Sequence, residues 1–426
     1  MLKYFYTFLF LLVGFSLSQP VLGQSAIEDH LKKQDCIDSM EMVRADTLYK
    51  KAWLLWVEQP LDHENPGKGT FHQRVWLSHK SSESSMVMVN EGYMAPRNYK
   101  SELAGLLEAN QVIVEHRYFG QSVPDSVDWQ YLTIKQAAHD HHRVVEMLKS
   151  FYSGKWVNSG ISKGGQTAMI HRAYFPEDVD LTVAYVAPFN YQVEDERLVR
   201  FFDHVGTPQQ REDIREFQKE VLQRKDELMP LFRDMAENRG YTFRMGMEKA
   251  FELSVLEYPF SLWQWCGPVD HIPGPGASAK ELFAHLQQAG DFGYFSDQQH
   301  EDIGPFFYQA YKELGYYPYL ATPVKPWLDE IEADTVSNEF MTPPQTSPSF
   351  ADQTPNLILK RLKAADPAMI VITGENDPWS ATSLETDGFS HVLKVENPGG
   401  CHNTRIRNLP DSLRNQVMEK LNNVIK

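Results

Sequence analysis

Five residues constrain this chain more than any others. Gly160-Ile161-Ser162-Lys163-Gly164 lies between an apolar run, Trp156 to Ile161, and a helical pattern that begins near Lys163 and reaches Tyr174. A strand that turns directly into a helix through Gly-x-Ser-x-Gly needs small residues on both sides of the serine, because the backbone doubles back on itself there. The turn lifts the serine hydroxyl above the sheet and leaves the following backbone N–H facing outward, where it can meet an oxyanion. The bland alternative is a glycine-rich turn without chemistry. The strand before it and the helix after it favour a nucleophile, Ser162.

A nucleophilic serine requires a base, and the base requires an acid, in the chain order Ser, Asp or Glu, His for this kind of turn. Thr373-Gly374-Glu375-Asn376-Asp377-Pro378-Trp379 directly follows a Val/Ile-rich run, which places Asp377 at the carboxyl end of a strand, with Glu375 as a competitor. Gly399-Gly400-Cys401-His402-Asn403 follows the next strand-like run and supplies His402. A second oxyanion donor belongs in the loop after an early strand. Val87-Met88-Val89-Asn90-Glu91-Gly92-Tyr93 has that form, so the N–H of Tyr93, or of Gly92, is expected to join that of Lys163. Each such donor contributes about 3 to 4 kcal/mol.

The surrounding pattern predicts an α/β fold. Strand-like runs at 53–57, 74–77, 86–89, 111–114, 156–161 and 181–187 alternate with helical periods such as Thr133 to Phe151, capped by Thr133. This predicts a mostly parallel sheet covered by helices. After Pro188 the pattern changes. Residues 194–250 are charge-rich and helical, the stretch to Ser347 is dense in aromatics, Pro and Gly, and strand alternation resumes at 369–373 and 391–395. The sheet domain is therefore expected at 24–190 and 351–426, split by a mainly helical cap at 191–350.

Residues 1–23 combine Lys3, an apolar run from Tyr4 to Leu17 and the small-residue end Val21-Leu22-Gly23, the form of an export signal. The protein is expected outside the cytoplasm, periplasmic or extracellular. No later segment approaches the roughly 20 apolar residues of a membrane span. With 41 Lys and Arg against 57 Asp and Glu, the formal charge is −16, which argues against a nucleic-acid partner. Cys36, Cys266 and Cys401 allow one intrachain disulfide, and the sequence leaves the pairing open. Their spacing suits no zinc site. His139 and His142 stand three apart on a helix without a carboxylate or Cys cluster to complete a metal site, so no metal or other cofactor is expected. The oligomeric state is not legible.

Gln59-Pro60-Leu61-Asp62-His63, Asn90-Glu91-Gly92, Glu115-His116-Arg117-Tyr118-Phe119-Gly120, Gly160-Ile161-Ser162-Lys163-Gly164-Gly165, Asn376-Asp377-Pro378-Trp379 and Gly400-Cys401-His402-Asn403 occur in this order. Together they resemble the secreted bacterial tripeptidyl aminopeptidases of the streptomycete type, and more distantly prolyl carboxypeptidase and dipeptidyl peptidase II. The resemblance runs from about residue 50 to the end. It implies an α/β-hydrolase with a helical cap and a serine exopeptidase with Ser162, Asp377 and His402 as its triad. Such an enzyme releases short peptides, tripeptides above all and often proline-directed, from substrates with free N-termini. A lipase or esterase on the same fold is the competing class, against which the charged, Pro- and aromatic-rich insertion argues. A dipeptidyl or carboxypeptidase-type relative is the other alternative. An aminopeptidase needs a carboxylate for the substrate ammonium. Glu91 is the candidate, with Glu115 as alternative, and a structural pair with Arg117 is the competing reading.

Overall fold

The structure is a computed structural model that describes residues 26–425. The export signal expected at 1–23 lies outside the described residues. A short N-terminal unit ending at Asp35 holds the helix Ala26–Leu31, and everything from Cys36 onward forms the main body.

The strands of the main body are β1 (Ile37–Val43), β2 (Lys51–Pro60), β3 (Thr70–His79), β4 (Met86–Asn90), β5 (Asn110–Val114), β6 (Trp156–Ile161), β7 (Leu181–Tyr185), the two-residue pair β8 (Tyr319–Leu320) and β9 (Thr335–Val336), then β10 (Met369–Gly374) and β11 (Val392–Asn397). Nine of them form one sheet in the order β1-β2-β3-β5-β4-β6-β7-β10-β11. The pairs β1–β2, β2–β3 and β3–β5 are antiparallel, and every pair from β5 to β11 is parallel. The inner strands β4, β5, β7 and β10 are buried along their whole length, which is why they read as continuous apolar runs. β1 escaped the sequence reading for the opposite reason. Ile-Asp-Ser-Met-Glu-Met-Val is an edge strand with no fully buried residue.

Helices cover both faces. Ile370 and Ile372 of β10 pack with Val417 and Leu421 of the C-terminal helix Asp411–Ile425. Met369 and Val371 point to the other face, where Ile134, Met169, Ile170, Ile358 and Leu362 meet them from three helices. One of the three, Ile134–Lys149, is capped as expected by the Thr133 hydroxyl, which accepts the Gln136 N–H at 3.1 Å. The strand order and the parallel run, with a tight strand-to-helix turn after β6, make this an α/β-hydrolase fold.

Between β7 and β10 the chain builds the helices Glu196–Phe201, Pro208–Gln223, Lys225–Arg239, Met247–Gln264, Ala279–Ala289 and Asp297–Gln309. They share an aromatic core that includes Phe217, Phe232, Phe251, Tyr258 and Phe307, continuous with Phe119 and Trp379 below. The helix Gln353–Ala365 then returns the chain to the sheet through Ile358 and Leu362.

Candidate active site

Ser162 stands at φ 56°, ψ −126°, between the end of β6 and the helix Lys163–Tyr174. A side chain rarely adopts that conformation, and here its surroundings enforce it. A Cβ on Gly160 would lie 2.1 Å from the Gly164 carbonyl carbon, and one on Gly164 would lie 2.6 Å from the Asn90 carbonyl oxygen. The Ser162 N–H donates to the Tyr185 carbonyl at 2.8 Å, which ties the turn to β7. The glycines of the sequence motif are thus points of backbone contact.

Asp377 follows β10 and His402 follows β11, as expected. Asp377 is fully buried, and its Oδ2 lies 2.8 Å from His402 Nδ1. Its Oδ1 accepts the Trp379 N–H at 3.2 Å. Glu375, the competitor, is exposed and accepts the Gly399 N–H at the rim. The carboxylate on the imidazole is therefore Asp377. It fixes the tautomer that leaves Nε2 available as a base. The His402 N–H donates to the Gln264 carbonyl at 2.9 Å, and the Trp265 ring meets the His402 ring edge-on at 5.4 Å.

Tyr93 and Ser162 line one cavity of about 250 Å³, walled by Trp265, Tyr294, Phe306, Tyr316, Tyr317 and Trp379 and containing Glu257. Gly92 presses against the serine turn: a Cβ there would lie 2.6 Å from the Gly164 nitrogen. The Tyr93 and Lys163 N–H groups have no protein acceptor among the described residues. This arrangement suits two oxyanion donors beside a serine hydroxyl.

The two carboxylates expected to meet the substrate lie elsewhere. Glu115 is buried and saturated: it pairs with Arg74, accepts N–H bonds from Ala95, Gln121 and Ser122, and accepts the Ser122 hydroxyl. Glu91 accepts the Tyr99 hydroxyl at 2.6 Å and does not line the cavity. Arg117, the suggested structural partner, is bound to Asp140 instead. Two carboxylates line it: the exposed Asp291, whose Oδ1 accepts the Gly293 N–H at 2.9 Å, and the buried Glu257, from the cap helix Met247–Gln264. Glu257 accepts hydrogen bonds from Ser261 at 2.7 Å and Tyr317 at 2.8 Å. Among the described residues no Lys, Arg or His pairs with it. Burial pushes its carboxyl up to about 7, against the opposing pull of those hydroxyls. Glu257 is not among the residues expected from the sequence, although a single acid in the mainly apolar run Leu253 to Trp263 is a signal in its own right. His139 stacks on His63, and His142 bonds Asp178.

The pattern of the family described as PS-10 peptidase S37 matches residues 25–419. This chain belongs to the peptidase S37 family. Over 398 residues it is 33% identical to the prolyl tri/tetrapeptidyl aminopeptidase of Streptomyces mobaraensis, covering 91% of this chain and 82% of that protein. Over 145 residues it is 30% identical to a probable serine protease EDA2 of Arabidopsis thaliana, covering 29% of this chain and 30% of that one. Among solved structures, the proline iminopeptidase of Mycobacterium smegmatis aligns with a TM-score of 0.44 at 14% identity, covering 86% of this chain and 98% of that one. The S37 chain is accordingly a serine-type peptidase.

In this S37 peptidase, Cys266 and Cys401 form a disulfide across 135 residues of sequence, leaving Cys36 outside it. The bridge joins the cap, just past Trp265, to the residue before His402, so it anchors His402 as well as the fold. A disulfide of this kind typically contributes about 2 to 4 kcal/mol. The double variant Cys266→Ser, Cys401→Ser is expected to lose about that much unfolding free energy. Turnover of the still-folded enzyme should fall as well, measured by urea denaturation beside steady-state assays.

Proposed function

We propose that this S37 peptidase is an exported serine exopeptidase that releases tri- or tetrapeptides from free N-termini, with a preference for proline near the cleaved bond. The observation that carries the reading is Glu257: a buried carboxylate without a cationic partner, in the same cavity as Ser162. A peptide's ammonium supplies the missing charge, and the pair offsets much of the desolvation cost of both groups. The aromatic walls suit a rigid apolar pyrrolidine ring. The name of the Streptomyces relative supports the product length and the proline preference. The signal-like N-terminus and the disulfide support export.

In the proposed reaction His402 removes the Ser162 proton as the hydroxyl attacks the scissile carbonyl, and the Lys163 and Tyr93 N–H groups hold the oxyanion. Protonated His402 then donates to the leaving amine. Water, activated by the same imidazole, hydrolyses the acyl-enzyme and frees the short peptide. Asp377 accepts the His402 Nδ1–H and steadies the imidazolium. The test compares one proline-containing peptide with free and with acetylated N-termini. Acetylation should depress kcat/KM by about two orders of magnitude or more, the scale of an unpaired buried charge. Equal cleavage of both, or internal cuts in a long unfolded chain, would leave a serine peptidase with no requirement for a free N-terminus.

A further inference from the structure

Lys163 does more than lend a backbone N–H. Its side chain is buried beneath the serine turn, and its Nζ donates to the Gly92 carbonyl. The nitrogen lies 4.7 Å from the centre of the Phe119 ring and 5.3 Å from that of Tyr93. No carboxylate pairs with it among the described residues, and burial holds its ammonium well below the usual lysine range. His116, edge-on to Phe119 at 5.4 Å, is the neighbouring titratable group. An apolar side chain would fill this space at less cost, so the amine invites a reason.

We propose that the Lys163 side chain orients the second oxyanion donor. The Gly92–Tyr93 peptide is trans, as all described peptide bonds are, so its C=O and N–H point in opposite directions. Drawing the Gly92 oxygen inward to Nζ turns the Tyr93 N–H outward, to the side of the cavity that Tyr93 and Ser162 share. A rotated peptide would present a carbonyl to the developing oxyanion and repel it. A hydrogen bond on the carbonyl also polarises the amide and strengthens its N–H as a donor. The rest of the loop is held by other groups: the Tyr93 carbonyl accepts the His116 N–H at 3.1 Å, and the Glu115 carboxylate accepts the Ala95 N–H at 2.6 Å. Only the Gly92–Tyr93 peptide depends on Lys163, which makes Lys163 a positioning residue for acyl transfer on any substrate, with or without a free N-terminus.

The experiment uses Lys163→Met, similar in length but without a donor, and Lys163→Gln, which keeps one. For each, kcat and KM are measured on a free-amine peptide and on a small activated ester. Affinities are measured for a peptide aldehyde, whose hemiacetal carries the oxyanion, and for the matching product peptide. Lys163→Met should lower kcat on both substrates and aldehyde affinity together, by about 10² to 10³-fold. KM and product affinity should stay near the wild-type values, and Lys163→Gln should recover part of the loss. Unchanged kcat in Lys163→Met, or product binding weakened as much as aldehyde binding, would overturn the proposal. If only Lys163→Gln folds, a reduced ratio of aldehyde to product affinity supports the role and an unchanged ratio overturns it. Because the ester needs no free amine, failure here is separable from failure of the exopeptidase reading.

Discussion

Ser162→Ala should abolish covalent labelling by a fluorophosphonate and lower kcat by about 10⁶-fold, while the melting temperature stays the same or rises. An alcohol is a weak nucleophile until a base takes its proton, and no other hydroxyl on the serine turn can replace it. The substitution removes one oxygen from a half-buried position at strained backbone geometry and leaves every packed glycine contact in place. Asp377→Asn should cost about 10⁴-fold, because an amide at the 2.8 Å contact permits the wrong imidazole tautomer. Glu375→Gln, exposed at the rim, should change turnover little. Substantial peptidase activity in Ser162→Ala, or a larger loss from Glu375→Gln than from Asp377→Asn, would remove the proposed triad.

Glu257→Gln should weaken kcat/KM for free-amine peptides by about 2 to 5 kcal/mol, the cost of leaving one member of a buried charge pair alone, and scarcely alter the acetylated series. Its pH signature is specific. Burial holds the carboxyl up to about 7, so in the unliganded enzyme the anionic form prevails above that value and is lost as the pH falls through it. The substrate's α-ammonium, with a reference pKa of about 7.7 to 8.0, is lost on the alkaline side. KM for free-amine peptides should therefore be lowest between these values and rise towards acid pH. In Glu257→Gln the acid limb of KM should flatten. The comparison needs initial rates across pH on wild type and variant. An acid limb that persists unchanged in Glu257→Gln would assign the ammonium site to another group.

The motifs around Ser162, Asp377 and His402 were legible because each is written in consecutive residues. A strand, a turn with a small residue where the backbone closes on itself, and a polar side chain at the strand's carboxyl end impose their requirements on immediate neighbours. Gly160 and Gly164 show it, since each is excluded from bearing a Cβ by backbone a few residues away or on the adjoining strand. Glu91 and Glu115 misled for the complementary reason. Glu91 adjoins the Gly92–Tyr93 loop in sequence and Glu115 follows the paired strand β5, yet what a carboxylate does depends on the groups that fold around it, and Arg74 with four donors from Ala95, Gln121 and Ser122 claims Glu115 entirely.

The α/β alternation, the interruption after Pro188 and the order Ser, Asp, His were determined by the sequence alone, through backbone sterics and hydrophobic periodicity that act within one element and its turn. Tertiary structure decided the rest. Cys266 pairs with Cys401 across 135 residues, Glu257 descends from the cap into the cavity of Ser162, and the Lys163 amine reaches Gly92 on a different loop. Each is a contact between segments far apart in the chain. Its energy depends on desolvation and on directional hydrogen bonds that exist only once both segments are packed.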